Sequence, residues 1–193
     1  MEADNDCISS IHPCANVSFD FVRGDTTPVR LVSTTFQLSA NLELCGSLGA
    51  SIHDVNGSPG AWLGAGFTPT FQAYGQGGGI YTVDVAVLGL PCGPINSGTL
   101  FTVDVKKATG APDGFGTITI TQVVVRDCLN APLPGSAGAP ANLTLDAVGP
   151  TAVANLTAPQ KKIGNDGDGT TRFQVNFTAP VDAAVTEVYR AVR

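Results

Sequence analysis

Apolar and polar residues alternate along most of residues 14–147, in short runs that turn residues separate. A period of two is typical of strands that bury one face and expose the other. Gly and Pro stand between the runs, as in Pro112-Asp113-Gly114 and at residues 75–79, where they favour tight turns. The pattern predicts an all-β sandwich or jelly roll, with strands at residues 17–22, 29–38, 41–44, 67–74, 80–88, 100–105, 117–125 and 142–145.

The composition agrees with this fold class. Only 13% of the residues are charged, and the chain contains 23 Gly and 13 Pro. Gly and Pro break helices, and the abundant Val and Thr lose side-chain freedom in them, so we expect very little helix.

The charge and hydropathy patterns exclude two classes of partner. The net charge is −6, and the ten Lys and Arg residues are scattered, so no basic stripe is available to neutralise a nucleic acid. No apolar run approaches the ~20 residues that a membrane span needs. Residues 1–6 lack the features of a signal peptide, and Met1 is expected to be the edge of a fragment.

The cysteines indicate an oxidising compartment. Each of the five lies beside turn residues, and no two have the Cys-x-x-Cys spacing of a zinc or redox site. Disulfides at strand ends are therefore predicted, as in an exported protein. The odd number leaves one thiol either free or paired outside this chain. The five are Cys7, Cys14, Cys45, Cys92 and Cys128.

No pattern of catalytic residues is present. The two histidines, His12 and His53, belong to no nucleophile or zinc motif, and the chain has no G-x-S-x-G, H-E-x-x-H or Walker loop. The only acids central to confident strands are Asp84 and Asp104. Each falls on the polar side of its strand, so both are expected to face solvent instead of forming a glycosidase pair. The chain is predicted not to be an enzyme.

One segment has the chemistry of a calcium site. Asn165, Asp166 and Asp168 place side-chain oxygens on a Gly-rich turn, which suits a hard cation. The bidentate Glu of an EF-hand loop does not follow, so a polar hairpin turn is the alternative. Calcium is the one cofactor that the sequence suggests.

A domain boundary is predicted where Pro, Gly, Ala and Ser dominate, at residues 132–150. The strand pattern restarts at 152–156 and 171–177, and a last apparent strand at 184–190 leaves an unpaired edge. The second domain is expected to continue beyond residue 193 or to be completed by another chain. The predicted divisions are an N-terminal extension at 1–13, a sandwich at 14–147 and a partial domain at 148–193.

Within the sandwich, Gly98-Thr-Leu-Phe101 enters a strand, Gly110-Ala-Pro112 forms a turn, and the next strand ends at Arg126-Asp127. This stretch resembles the carboxy-terminal half of a cohesin domain, and residues 28–44 are similar to an earlier strand and tight return of that family. The resemblance covers about residues 14–147. It implies a jelly-roll β-sandwich of about nine strands in a bacterial surface or secreted assembly. Cohesins bind dockerins, small calcium-loaded helical modules, through one sheet face.

The resemblance also implies which face would bind. It would use the strands at 29–38, 67–74, 80–88 and 117–125, with Phe36, Leu38, Val83 and Val85 pointing inward. This surface has few of the aromatic or Arg residues that usually anchor a partner, so an ordinary solvated face is the alternative. The candidate outward residues are Ser33, Thr35, Gln37, Thr82, Asp84, Thr119 and Thr121.

Jelly-roll topology, taken from the same resemblance, would gather four cysteines at one end of the sandwich. That arrangement implies the disulfides Cys14–Cys128 and Cys45–Cys92, with Cys7 left over. Residues 150–193 resemble the beginning of a fibronectin type III-like module, which implies a partial immunoglobulin-like β segment of the kind that acts as a spacer.

Three functions remain open at this level. The first is protein recognition of cohesin type at the cell surface. The second is a structural subunit of an extracellular filament or stalk, assembling by strand addition through the unpaired edge. The third is carbohydrate binding by an aromatic row, for which the chain offers Trp62, Phe67, Phe71 and Tyr74.

Overall fold

A computed structural model describes residues 2–3, 7–10, 12–146, 153–162 and 172–179. The chain divides into two compact units, Met1–Val148 and Gly149–Arg193, which are considered separately. In its described residues, the first unit contains twelve strands and one short helix: β1 (Glu2–Ala3), β2 (Cys7–Ser9), β3 (Cys14–Phe21), β4 (Val29–Leu38), β5 (Leu42–Leu44), α1 (Leu48–Ser51), β6 (Ile52–Asp54), β7 (Pro69–Gly77), β8 (Ile80–Val87), β9 (Gly98–Lys107), β10 (Gly114–Asp127), β11 (Pro132–Leu133) and β12 (Ala141–Asp146).

These strands form two sheets, which confirms the predicted β-sandwich. The first sheet has the order β1-β3-β9-β5, with β6 also paired to β9. The second has the order β2-β12-β10-β4-β8-β7, with β11 also paired to β10. All eight predicted strands form, and the helix content of the described residues is low, as predicted. The segment predicted as an N-terminal extension contributes β1 to the first sheet and β2 to the second.

Three phenylalanines join the two sheets at the centre of the core. Phe19 and Phe101 come from the first sheet and Phe36 from the second, and none is more than 1% exposed. Ring centroids lie 4.4 Å apart for Phe19 and Phe101 and 4.8 Å apart for Phe19 and Phe36. The predicted inward positions Leu38 and Val85 are buried in the same core, as are Phe36 and Val83. Alternation therefore identifies the buried side of these strands correctly.

Trp62 belongs to the core and not to a surface. It is fully buried and packs edge-on against Phe21, with the ring centroids 5.8 Å apart. The backbone N–H of Trp62 donates to the Thr99 carbonyl, which holds the loop against the first residues of β9. Phe67 and Phe71 also pack against the core. The predicted aromatic row for carbohydrate is therefore wrong, because three of its four rings face inward.

Gly98 allows this loop to approach β9, and its replacement by alanine is expected to lower the free energy of unfolding by about 1–3 kcal/mol. A Cβ on Gly98 would lie 2.6 Å from the Trp62 nitrogen and 2.8 Å from the Ala61 carbonyl carbon. Backbone atoms cannot move aside as a flexible side chain can. Denaturant unfolding measures the effect, with Gly64→Ala as the control because a Cβ there meets nothing within 4 Å. Equal stability of the two variants would contradict this account.

Two disulfides link Cys14 to Cys45 and Cys92 to Cys128, with Cα atoms 6.0 and 5.7 Å apart. The predicted disulfides are confirmed, but the pairing implied by the cohesin resemblance is wrong. In each case, the disulfide bridges two chain segments whose strands lie on either side of the same third strand. The first joins β3 to the end of β5 across β9, and the second joins the segments after β8 and β10 across β4.

The four cysteines do not gather at one end of the sandwich. Cys14 begins β3, whereas Cys128 follows the last residue of β10. The groove that opens between the sheets brings together Phe21, at the end of β3, and Val125, near the end of β10. Cys14 and Cys128 therefore lie at opposite ends, which excludes a bond between them.

The second unit contains two separate antiparallel strand pairs in its described part. β13 (Ala154–Thr157) pairs with β16 (Asn176–Thr178), and β14 (Gln160–Lys162) pairs with β15 (Arg172–Phe173). The calcium candidates Asn165, Asp166 and Asp168 and the apparent strand at 184–190 lie outside the described residues. The likeness to a fibronectin type III-like module stays a prediction.

Candidate functional site

The candidate residues of the first unit share the side of the second sheet that points away from the core, called here the outer face. Strand register places them in rows across β10, β4 and β8. Ser33 lies opposite Asp84, Thr35 opposite Thr82, and Gln37 opposite Thr119. The structure therefore brings the predicted residues together on one surface, with Thr121 beside Thr35.

Hydrogen bonds join the side chains at the centre of this face. The hydroxyl oxygens of Thr35 and Thr82 lie 2.9 Å apart, and Gln76 Nε2 donates to Thr82 Oγ1 at 2.7 Å. Thr121 Oγ1 donates to the Thr35 carbonyl at 3.3 Å. Thr82 is only 3% exposed, and its hydroxyl is already engaged by Thr35 and Gln76. The prediction that Thr82 offers its side chain to a partner is wrong for this reason.

A bulge in β10 changes which of its residues face outward. The register shifts between Ile120 and Gln122, so that Thr121 and Gln122 both stand near Thr35. Beyond the bulge, Gln122 and Val124 lie opposite the outward residues of β4. Neither residue is predicted by alternation along the sequence. The run Thr-Gln-Val-Val-Val at 121–125, where strict alternation stops, is the only signal of the bulge.

β7 completes the outer face with residues that the sequence analysis also missed. Gln72 lies opposite Asp84, and Tyr74 lies opposite Thr82. Tyr74 is 42% exposed and supplies an aromatic side chain to this surface, as does Phe115 of β10, which is 72% exposed. The β7 alternation would have placed both outward, because Phe71 and Ala73 pack against the core.

Asp84 occupies a central position on the outer face. It lies in a row with Ser33 on one side and Gln72 on the other, and it is half-buried. Its carboxylate makes no hydrogen bond or ion pair among the described residues. A partly desolvated carboxylate without a donor gains most from a partner that supplies a cation or an N–H group.

Asp104, the second acid predicted at the centre of a strand, lies on the opposite face of the sandwich from Asp84. Asp104, in β9, accepts from Asn16 Nδ2 at 2.6 Å and lies 2.8 Å from His53 Nε2. Val103 and Val105 beside it are buried, so Asp104 points away from the core on the first sheet. Asp84 points away on the second sheet. The two carboxylates therefore do not share a cleft, and they form no glycosidase pair.

Among the described residues, no three His, Cys, Asp or Glu side chains are grouped to hold a metal ion. None of the helices in the described ranges has the length and apolar character to cross a membrane.

No protein-family model matches the chain, and no curated protein matches its sequence. Solved structures of cohesins do match. A cohesin module from a family 33 glycoside hydrolase of Clostridium perfringens ATCC13124 has a TM-score of 0.55 at 13% identity, covering 76% of this chain and 96% of that chain. A type II cohesin domain from the cellulosome of Acetivibrio cellulolyticus has a TM-score of 0.54 at 16% identity, covering 74% and 91%.

A non-cellulosomal cohesin from the hyperthermophilic archaeon Archaeoglobus fulgidus is similar too, with a TM-score of 0.53 at 13% identity over 75% of this chain and 88% of that chain. At such identities the likeness is one of fold. The first unit therefore has the cohesin-like jelly-roll sandwich that the sequence predicts.

Proposed function

We propose that this chain is an exported, non-catalytic protein-recognition module that binds a dockerin-type partner through the outer face. Asp84 carries the proposal, because it is a half-buried carboxylate at the centre of a sheet surface and has no partner in the described parts of the chain. The cohesin-like fold supports the class of function. The two disulfides support an oxidising, extracellular location.

The outer face offers a partner both apolar and polar contacts. Tyr74, on β7, supplies an aromatic surface with a hydroxyl, and Val124, on β10, supplies aliphatic area on the same face. Ser33, Gln72 and Gln122 offer hydrogen-bonding groups around the central carboxylate. Central residues that become fully desolvated usually dominate binding, while the polar groups around them exclude water.

The face is also held rigid before any partner arrives. Four antiparallel strands form it, and β10 is paired with β4 along most of its 14 residues. The Cys92–Cys128 disulfide ties the segments that follow β8 and β10 to each other. A preformed surface loses little conformational entropy on binding, so more of the contact energy appears as affinity.

Reversing the charge of Asp84 is expected to weaken binding of a dockerin-type module by at least about thirtyfold. Asp84→Lys replaces the acceptor for a partner's donor by a repelling cation. Titration calorimetry with wild-type and variant protein measures the change. Asp54→Lys is the matched control, since Asp54 is an exposed acid on the first sheet.

Two results would count against the proposal. Full affinity of the Asp84→Lys variant would remove the outer face as the binding surface. Failure of the wild-type chain to bind dockerin-type modules of different origin would remove the partner class. Loss of binding in Asp54→Lys alone would place the contact on the first sheet.

A further inference from the structure

A groove opens on the flank of the sandwich, away from the outer face. It lies between the end of β3 and the second half of β10 and has a volume of about 610 Å³. Volumes of this size are typical of ligand sites. Its apolar wall comes from both sheets and includes Val32, Leu100, Val123 and Val125.

In the described part of the chain, the middle of the β10 edge along this groove lacks a strand partner. β12 pairs with β10 only from Gly114 to Ile118, and β11 pairs only with Val125 and Arg126. Within the described chain, residues 119–124 are paired on their β4 side alone. An unpaired length of strand edge presents backbone N–H and C=O groups to any extended chain that comes alongside.

Residues 134–138 line this groove, and no hydrogen bond to other described residues holds them there. This segment reads Pro-Gly-Ser-Ala-Gly and is exposed. A Cβ on Gly135 would lie 3.0 Å from Val125 Cγ2 and 3.3 Å from Val123 Cγ1, so the segment passes close to the groove wall. Its displacement would break few contacts.

Arg23 places a positive charge in the groove. Its side chain is only 6% exposed, and its guanidinium carbon lies 5.5 Å from the centre of the Phe21 ring. Nη2 donates to Asp25 and to the Thr27 carbonyl. Nη1 is buried and has no acceptor among the residues that the structure describes. A buried charged donor without an acceptor is unfavourable, so an incoming oxygen atom would be strongly preferred there.

Asp25 does not supply the acceptor that Arg23 Nη1 lacks. Its carboxylate is engaged by the Thr27 N–H and by Arg23 Nη2, and these contacts lower the pKa of Asp25 below its usual value. The Asp25 side chain is largely exposed, whereas the unpartnered Nη1 lies inside. A second acceptor is therefore needed from elsewhere.

We propose that this groove binds an extended acidic peptide segment of a partner protein. The peptide adds as a strand to residues 119–124 of β10, its apolar side chains cover the groove wall, and one carboxylate accepts from Arg23 Nη1. Residues 134–138 move aside to admit it. The charge of Arg23 and the free strand edge together select an anionic, extended occupant.

Two capped heptapeptides test this proposal with the full chain. In both, Val and Thr alternate around a central residue, which is Glu in one and Gln in the other. Hydrogen exchange should show that the Glu peptide protects amides of residues 119–124, with an affinity about tenfold above that of the Gln peptide. This comparison uses wild-type protein, so it does not depend on the folding of a variant.

A substitution then assigns the preference to one residue. Arg23→Gln is expected to abolish the difference between the two peptides, while Arg126→Gln, whose guanidinium bonds to the Asn130 carbonyl, should keep it. Absence of saturable protection at millimolar peptide, equal affinity for both peptides, or protection along β7 instead would overturn the proposal. Protection of residues 119–124 that rises with protein concentration alone would assign the groove to a second copy and also overturn it.

Discussion

Replacing Phe101 with alanine is expected to lower the free energy of unfolding by about 3–5 kcal/mol. The ring is fully buried and lies within 4.4 Å of Phe19 and 6.2 Å of Phe36, measured between centroids. Its removal leaves a cavity where the two sheets meet, and rigid strands on both sides cannot collapse into it. Urea denaturation with intact disulfides measures the loss.

Phe115→Ala is the matched control for this experiment. Phe115 is 72% exposed, so the same truncation removes little buried area there. Its effect should stay within about 0.5 kcal/mol. Similar losses in the two variants would show that Phe101 does not join the sheets as described.

Removing the Cys92–Cys128 disulfide by a double alanine substitution is expected to cost about 3–4 kcal/mol of stability. The bond closes a loop with a sequence separation of 36 residues, and opening it gives the unfolded chain more conformational freedom. The Cys14–Cys45 bond, with a separation of 31, should have a similar effect. Thermal or denaturant unfolding of each double variant measures both.

The pairing itself is checked by peptide mapping of the unreduced protein. Linked peptides that contain Cys14 with Cys45 and Cys92 with Cys128 are expected. A linked peptide that contains Cys14 and Cys128 would contradict the structure. Wild-type protein treated with reductant should lose the combined stabilisation of the two bonds, whereas a variant lacking all four cysteines should not respond.

Alternation along the chain predicts the fold because each strand must bury one side. The run Val83-Asp84-Val85 in β8 illustrates this, since Val83 and Val85 are buried while Asp84 between them points outward. The short elements β1, β2, β6 and β11 were not predicted. Strands of two or three residues are too short to show a period, and tertiary contacts decide whether they form.

Alternation predicted which side chains of the candidate face point outward. It could not predict their exposure where that exposure depends on neighbouring chain segments. Alternation along β8 predicts that Thr82 points outward, but Gln76 on the neighbouring strand β7 bonds to its hydroxyl, and the residue is buried. The bulge at Thr121 reverses the phase of the rest of β10, so alternation no longer identifies Gln122 and Val124 as outward. Trp62 lies in a loop, where periodicity gives no information about burial.

The disulfide pairing required knowledge of which strands are adjacent. A cysteine beside a turn shows only that it lies at the end of a strand. Whether Cys14 meets Cys45 depends on β9 lying between β3 and β5, and that order follows from contacts far apart in the chain. The sequence contains no local signal of this order.

The two disulfide loops do not overlap along the chain, since one spans residues 14–45 and the other residues 92–128. A single peptide-bond cleavage inside either loop leaves one covalent molecule. A cleavage between residues 46 and 91 gives two pieces that only noncovalent contacts hold together. The exposed Gly77–Gly79 turn lies in that interval, between β7 and β8. A nick there would leave half of the outer face in each piece, so the integrity of that face would depend entirely on strand pairing and core packing.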